Sequence, residues 1–338
     1  MAIVQLFIKK AYKFERKNRC LRRKRQRPSG RCLMQSPSSS QSQDTPSGLP
    51  AAVGAYLIWG FLPLYLLLVT SVPPFEFVGW RIIWTLPFCL VIVALRKQFP
   101  ALRAALTNPR TMLALFASAV LIATNWFVYI WAIMQNQVYA ASLGYYLNPL
   151  LNVLLGTLLL GERLSKMQWI AVAIAVSAVA LLSAGALTTL WISLTLAFSF
   201  GLYGIVRKQV DVGSLPGLTI ESMILLAPAG AIAWWYASSP EGSAFGQDWT
   251  LSLAIVFSGV VTAVPLLLFA IAARRMNYST LGFIQYLAPT IVFLLGLTVF
   301  GEQLRPVQLG SFILIWIAVA IFVGDLWVRT RRTGSKST

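Results

Sequence analysis

The stretch from Pro149 to Gln168, PLLNVLLGTLLLGERLSKMQ, decides the fold because the chain repeats it 140 residues later. The second copy runs from Pro289 to Gln308 as PTIVFLLGLTVFGEQLRPVQ. A proline, two glycines, a glutamate, a leucine and a glutamine recur in register, which indicates an internal duplication. Each copy lies where one long apolar segment ends and the next begins, so the duplicated unit is a group of membrane-spanning helices, as is typical of transporters.

The composition places the chain in a lipid bilayer. Of its 338 residues, 57% are hydrophobic and only 11% are charged, which is too little polar surface to cover a soluble protein of this size. The sequence therefore predicts an all-α integral membrane protein with ten transmembrane helices, each able to cross about 30 Å of hydrocarbon. The predicted spans lie near 51–70, 75–95, 111–134, 138–160, 167–185, 186–206, 216–237, 250–273, 277–300 and 306–328.

The positive charges predict an orientation for these spans. Beyond the first 31 residues there are sixteen Lys and Arg residues, and fourteen fall in alternate loops or in the C-terminal tail. By the positive-inside rule, both termini face the cytoplasm. The chain then divides into a first five-helix repeat over 51–185, a second over 186–328 and a basic cytoplasmic tail over 329–338. Because five is an odd number, the two repeats are inverted relative to each other.

The first 50 residues differ from the rest, because they are basic and then rich in Ser, Gln and Pro. Twelve Lys and Arg residues lie in the first 31, including the run from Arg22 to Arg27. A nuclear signal, an anionic-lipid patch and an organellar transit peptide are open interpretations. We favour a translation start at Met34, which leaves a short disordered tail before the first helix. The position of the charges argues against nucleic-acid binding, although the net charge is +18.

Several kinds of chemistry have no residues to support them. The chain has no histidine, its three cysteines give no disulfide or metal framework, and it has no P-loop sequence. We therefore predict no catalytic residues, no metal and no cofactor, and a membrane-embedded enzyme is disfavoured. Active transport would be secondary, or powered by a partner protein.

Two charged residues lie well inside predicted spans, where a charge is costly and usually functional. Arg81 lies in the second span and Glu221 in the seventh, 140 residues apart, so they occupy equivalent positions in the two repeats. Three interpretations stay open: an ion pair that joins the repeats, charges along a substrate path, or side chains that extend to the interface. Glu221 is the candidate for proton coupling, because it is the one carboxylate deep in a span.

Amide and aromatic side chains surround the prolines of both repeats, and a proline in a span suits a cavity better than a lipid-facing surface. The alternatives are that the amides bond to neighbouring helices and that the aromatic residues pack or lie in interfacial belts. The candidate substrate-binding residues are Trp59, Arg81, Asn125, Trp126, Tyr145, Asn148, Asn152, Tyr203, Glu221, Gln285 and Tyr286.

The Gly-Glu pairs of the repeat predict helix ends. Gly161 and Gly301 suit helix C-termini, while Glu162 and Glu302 lie near the start of the following helix, where the helix dipole favours negative charge. The alanine-rich fifth span predicts close helix packing and a homodimer face.

With these features assembled, the chain resembles the EamA-type transporters of the drug/metabolite transporter superfamily, and within them the RarD family. The motifs that carry the resemblance are Ala55–Gly60 (AYLIWG), Arg81–Trp84 (RIIW), Asn125-Trp126, Ala141–Leu150 (ASLGYYLNPL), Gly161–Arg163 (GER), Tyr203–Lys208 (YGIVRK), Thr280–Tyr286 (TLGFIQY) and Gly301-Glu302. The resemblance covers about residues 50 to 328.

The resemblance implies an inner-membrane protein of ten helices in two inverted five-helix repeats. It implies that the first, third and fourth helices of each repeat line a central cavity, and that the substrate is a small metabolite; the RarD name is tied to chloramphenicol sensitivity. The function expected is that of a secondary carrier for a small organic metabolite or drug-like solute, working by alternating access. The alternatives are a flippase for a lipid or lipid-linked substrate, or an accessory subunit of a membrane complex. A lateral opening lined by arginine would favour the flippase.

Overall fold

The structure is a computed structural model that describes residues 48–135, 137–183, 187–301 and 306–334. All regular structure in these ranges is helical. The helices are α1 Leu49–Leu66, α2 Pro74–Leu95, α3 Phe99–Leu106, α4 Pro109–Met134, α5 Val138–Leu159, α6 Lys166–Ser183, α7 Leu190–Gln209, α8 Ser214–Ala237, α9 Trp249–Arg275, α10 Tyr278–Gln285, α11 Leu287–Thr298 and α12 Pro306–Gly334. The predictions for residues 1–47 and for Glu302 lie outside the described residues.

Nine helical segments of the described chain are long and apolar enough to cross a membrane. They coincide, to within a few residues, with nine of the ten predicted spans, and α10 and α11 together form one of them, Tyr278–Thr298. The predicted fourth span corresponds to α5, which has 22 residues but is not among the nine. Asn148 and Asn152 lower the hydropathy of α5. The all-helical membrane fold is therefore confirmed with nine candidate spans rather than ten.

Capping side chains and left-handed glycines set the helix ends. The Asn108 side chain accepts hydrogen bonds from two backbone N–H groups at 3.0 and 3.2 Å at the start of α4. Gly161 follows α5 with φ 67°, and Gly301 follows α11 with φ 66°. A residue with a Cβ rarely adopts this backbone conformation. The prediction that the two repeated glycines end helices is confirmed.

The two halves of the chain pack through matching pairs of helices. Helix α2 lies against α8, α5 against α10, and α6 against α12, so each of these contacts joins equivalent spans of the two halves. Other large contacts correspond when the two halves are exchanged. Helices α4 and α5 of the first half pack on α7, and their equivalents α9 and α11 in the second half pack on α1. Most of the large contacts are therefore matched between the halves, although α2 packs more extensively on α9 than α4 does on α8.

The alanine-rich helix α6 packs closely, as predicted, and its partner is α12. Ala171, Ala175 and Ala178 are fully buried in a cluster that includes Ile315 and Phe322 of α12. Small side chains let two helix backbones approach closely in a membrane protein. This contact lies within one chain, so the homodimer face stays a prediction.

Candidate substrate site

Arg81 lies on α2, and its guanidinium group is held inside the helix bundle by two other helices. Its Nε donates a hydrogen bond to Oγ1 of Thr262 on α9 at 3.1 Å. Its Cζ lies 4.6 Å from the centre of the Trp126 ring on α4, a cation–π contact. No carboxylate of the described residues forms an ion pair with Arg81. Its side chain therefore points toward α4 and α9, and its charge has no counter-ion among the described residues.

Phenol groups surround the same guanidinium. Tyr65, Tyr129 and Tyr145 all lie within electrostatic reach of Arg81. Tyr145, on α5, has 44% of its surface accessible and makes an edge-on contact with Tyr129, with ring centres 5.9 Å apart. Of the predicted site residues, Trp126 therefore contacts Arg81, and Tyr145 lies within electrostatic reach of it.

Glu221 on α8 is 2% exposed, and polar groups from α4 and α7 surround its carboxylate. Its Oε1 lies 3.5 Å from Nη1 of Arg207 and accepts a hydrogen bond from the hydroxyl of Ser118. Its Oε2 accepts a hydrogen bond from the hydroxyl of Tyr203 at 3.4 Å. The ion pair considered between Arg81 and Glu221 is not formed, because Arg207 takes its place.

Arg207 was expected in the loop after the sixth span, and this position was wrong. Helix α7 continues to Gln209, so Arg207 lies within the helix and is only 1% exposed. Its Nη2 donates to the carbonyl oxygen of Ser214 at 2.7 Å. Gly217 leaves room for the guanidinium, since a Cβ there would lie 2.9 Å from Cζ of Arg207. Gly217, three residues after the start of α8, was the sequence signal that could have suggested a buried large side chain next to this helix.

A small cavity joins the surroundings of Glu221 to those of Arg81. It has a volume of about 10 Å³, enough for roughly one water molecule. Glu221 and Tyr203 line one part of it, and Trp126 and Thr262, the two contacts of Arg81, line another. The cavity is therefore too small to hold a metabolite in this structure.

The amides separate into two groups. Asn152 Nδ2 donates to Oε1 of Gln285 at 2.8 Å and so joins α5 to α10. The Oδ1 atoms of Asn148 and Asn152 are buried without a hydrogen-bond partner among the described residues. Asn125 instead donates to the carbonyl oxygen of Leu196 at 2.8 Å and to Ser199 Oγ at 3.1 Å, which ties α4 to α7. Asn125 thus makes the helix–helix contact that was the alternative interpretation.

Trp59 and Tyr286 make their described contacts with residues other than Arg81. Trp59 packs in an aromatic cluster, with ring centres 5.7 Å from Phe200 and 5.9 Å from Phe269. This cluster reaches the site through Tyr203, which stacks on Phe269. Tyr286 donates a long hydrogen bond of 3.5 Å to the carbonyl oxygen of Tyr146 and packs in the cluster that holds α6 against α12.

Glu162 caps a helix, but not the one predicted. Its Oε1 accepts a hydrogen bond from the backbone N–H of Tyr278 at 2.6 Å, and its Oε2 from that of Ser279 at 2.9 Å. It therefore caps α10, in the other half of the chain, rather than the following helix α6. Helix α6 has its own capping box, because Ser165 Oγ accepts from the Gln168 N–H and Gln168 Oε1 accepts from the Ser165 N–H. That Ser-x-x-Gln spacing was readable in the sequence and was missed.

Comparison with known proteins agrees with this architecture. The profile of the EamA-like transporter family matches the chain twice, at residues 46–184 and 187–324. The chain belongs to this family. The two matches adjoin each other and together cover most of the chain, which confirms the resemblance and the duplication inferred from the repeated stretch.

Relatives within the EamA-like family are similar along nearly their whole length. The chain is 41% identical to Protein RarD of Escherichia coli over 300 residues, covering 86% of this chain and 99% of that protein. It is 42% identical to an uncharacterized transporter of Pseudomonas aeruginosa over 287 residues, covering 84% and 96%. It is 30% identical over 280 residues to the Chloramphenicol-sensitive protein RarD of the same organism, covering 81% and 92%.

A solved crystal structure shares the fold of this EamA-family chain. It superposes with a TM-score of 0.65 at 20% identity, over 81% of this chain and 96% of that one. The protein is thus a multi-pass membrane protein of a transporter family, and the closed cavity next to Arg81 and Glu221 is the central candidate for its site.

Proposed function

We propose that the protein is a secondary carrier for a small organic metabolite or drug-like solute. It works by alternating access around a site between its two halves, in the inner membrane, with both termini in the cytoplasm. Family membership and the duplicated family match support a transporter. The charged side chains held inside the bundle support a polar site at membrane depth.

The tenth span in this proposal is α5. It is as long as α2, which also has 22 residues, and its polar residues Asn148 and Asn152 are buried in the bundle. With α5 counted, each half crosses the membrane five times, so the five-helix units 51–185 and 186–328 are inverted relative to each other. The helix contacts that are matched between the two halves support this arrangement.

The observation that carries the proposal is the closed cavity between Glu221 and the two contacts of Arg81. Residues from five helices, α2, α4, α7, α8 and α9, line it, and α5 adds Tyr145 next to Arg81. A site formed by helices from both halves opens to one side or the other when the halves rock. In this proposal Arg81, Trp126, Tyr145, Tyr203 and Glu221 contact the solute, while Asn125, Asn152 and Gln285 hold the surrounding helices together.

A metabolite comparison tests the carrier proposal directly. Metabolites are compared between a strain that lacks the protein and one that overproduces it, and each solute that differs is then tested for flux in proteoliposomes. We expect protein-dependent flux that is lost in Trp126→Ala and retained in Trp249→Ala, a tryptophan with 76% of its surface exposed. Equal flux in empty liposomes and proteoliposomes for every such solute would overturn the proposal.

Proton coupling and dimerisation are separate parts of the proposal. Flux by Glu221→Gln is measured with and without a pH gradient, with the exposed Glu241→Gln as control. Unchanged dependence of the flux on the gradient excludes Glu221 as the proton carrier.

The exposed face of α6, with Ala173, Ser177 and Ala180, is the homodimer contact in this proposal. If Ser177→Cys does not crosslink between two copies of the protein in membranes, the proposed homodimer contact is wrong.

The lateral groove of the structure does not favour a lipid flippase. A cavity of about 440 Å³ lies between α4 and α7, and its lining is mostly apolar, with the hydroxyl residues Thr195 and Ser199 but no arginine. A lateral opening lined by arginine would favour a flippase, and no arginine lines this one. We therefore keep the soluble-solute carrier as the proposed function.

A further inference from the structure

We infer that Arg81 binds a carboxylate group of the transported solute, so the substrate class is a small organic anion with a planar or aromatic part. This inference rests on the proposed carrier function and names the chemistry of the same site.

The charge balance of the described residues points to an anion. Glu221 is paired with Arg207, so neither is available as a counter-charge. Glu76, near the start of α2, accepts hydrogen bonds from Trp80, from the Ser243 hydroxyl and from a backbone N–H. Arg81 is left with a hydroxyl and an aromatic ring as its contacts, although a charge inside a membrane is expensive without a partner. An anionic solute would supply the missing partner.

The geometry of the guanidinium group selects among anions. The Trp126 ring covers one face, Nε donates to Thr262, and no acceptor among the described residues bonds to the edge formed by the two Nη atoms. The Arg81 side chain is partly accessible rather than sealed. A free Nη edge matches the two oxygens of a planar carboxylate, which arginine binds through two parallel hydrogen bonds.

The tyrosines around Arg81 describe the rest of the solute. Tyr145 keeps 44% of its surface accessible and stands edge-on to Tyr129 next to the guanidinium group. Their rings can flank a planar group, and their hydroxyls can bond to polar substituents. A carboxylate attached to an aromatic or other planar group fits these neighbours better than a bare inorganic anion does.

A charge series on one ring tests the inference with the unmodified protein. Phenylacetate, 2-phenylethylamine and 2-phenylethanol share a phenyl ring but carry a negative, a positive and no charge, and sodium chloride provides the inorganic anion. Binding to the full chain in nanodiscs is followed by Trp fluorescence and by the melting temperature. We expect phenylacetate alone to bind and to stabilise. Preferential binding of the amine or the alcohol, no binding of phenylacetate, or equal stabilisation by chloride at matched concentration would each overturn the inference.

Variants then assign the contact to Arg81. Arg81→Gln should weaken phenylacetate binding about 30-fold or more, as expected when one partner of a desolvated charge pair is removed. Arg81→Lys, which keeps the charge but not the two-pronged geometry, should bind with intermediate affinity. The exposed Arg103→Gln is the matched control and should bind as the unmodified protein does. Phenylacetate binding that is unchanged in Arg81→Gln contradicts the assignment.

The outcomes separate this inference from the carrier proposal. Binding and flux of an amine would leave the carrier proposal standing and remove the carboxylate. If carboxylate binding depends on Arg81 but no bound solute enters proteoliposomes, the inferred carboxylate site stands and the carrier proposal is wrong.

Discussion

The contact of Glu162 with α10 should stabilise the fold across the two halves, and Glu162→Gln is the variant that measures it. The carboxylate accepts two backbone N–H groups at 2.6 and 2.9 Å, both at the positive end of a helix. A hydrogen bond to a charged group contributes about 1.5 to 3 kcal/mol, and glutamine keeps one acceptor oxygen but loses the charge and the second. Since the side chain is partly exposed, we expect a loss of about 2 kcal/mol.

The melting temperature of the purified protein in nanodiscs measures this loss. A change of about 2 kcal/mol should lower the melting temperature by about 4 °C for a chain of this size. Glu241→Gln, at an exposed loop position, is the matched control and should leave it unchanged. If Glu162→Gln and Glu241→Gln melt at the same temperature, the reasoning about the cap is wrong.

Gly156 provides an independent test of the same contact. A Cβ at this position would lie 2.7 Å from Oε2 of Glu162 and 2.8 Å from Oγ of Ser279. Gly156→Ala should therefore displace the cap at a cost of about 1 to 3 kcal/mol, whereas Gly230→Ala, in a helix with open space around the glycine, should not. The double variant with Glu162→Gln should lose less than the sum of the two, because both remove one contact.

Three further outcomes follow from the described contacts. Glu221→Gln should destabilise the protein by about 3 to 5 kcal/mol, and adding Arg207→Gln should recover part of the loss, because the first change leaves a buried charge unpaired; chemical denaturation of both variants measures this. A double-mutant cycle of Asn152→Ala and Gln285→Ala should give a coupling energy of about 0.6 kcal/mol, and a value of zero would contradict the hydrogen bond between them. Cys89 is fully buried, so with the two tail cysteines replaced a maleimide should label the folded protein only after denaturation.

Helix positions followed from the sequence because hydropathy and local turn chemistry are encoded within short stretches. The segment predicted over 216–237 is the helix Ser214–Ala237, and Gly161 ends α5 in the left-handed conformation that its sequence position suggested. Helix α5 is the partial exception, since Asn148 and Asn152 weaken the very signal that identifies a span. Polar residues that form a buried site inside a span lower the mean hydropathy by which that span is recognised.

The partners of the charged residues did not follow from the sequence. Arg81 and Glu221 occupy equivalent positions in the two repeats, but equivalent positions of a duplicated chain need not be neighbours. Glu221 instead pairs with Arg207, which lies fourteen positions earlier on the preceding helix α7. Glu162 bonds to Tyr278 at the start of α10, 116 residues away in the sequence. One sequence carries no information on which of several distant groups meets a given carboxylate, so such contacts came from the structure.

The two copies of the repeat differ in the helix that leads into the repeated proline. Helix α5 continues through Pro149, whereas the second copy breaks at Tyr286, three residues before Pro289, where the Tyr286 N–H donates a 3.3 Å bond to the Phe283 carbonyl. Asn152 bonds to Gln285, which is not its repeat equivalent. A duplicated unit with two identical copies would form a symmetric site. Because the pairing here joins unlike residues and leaves the Arg81 side with the uncompensated charge, the site is asymmetric, and a solute with one anionic end suits it better than a symmetric one.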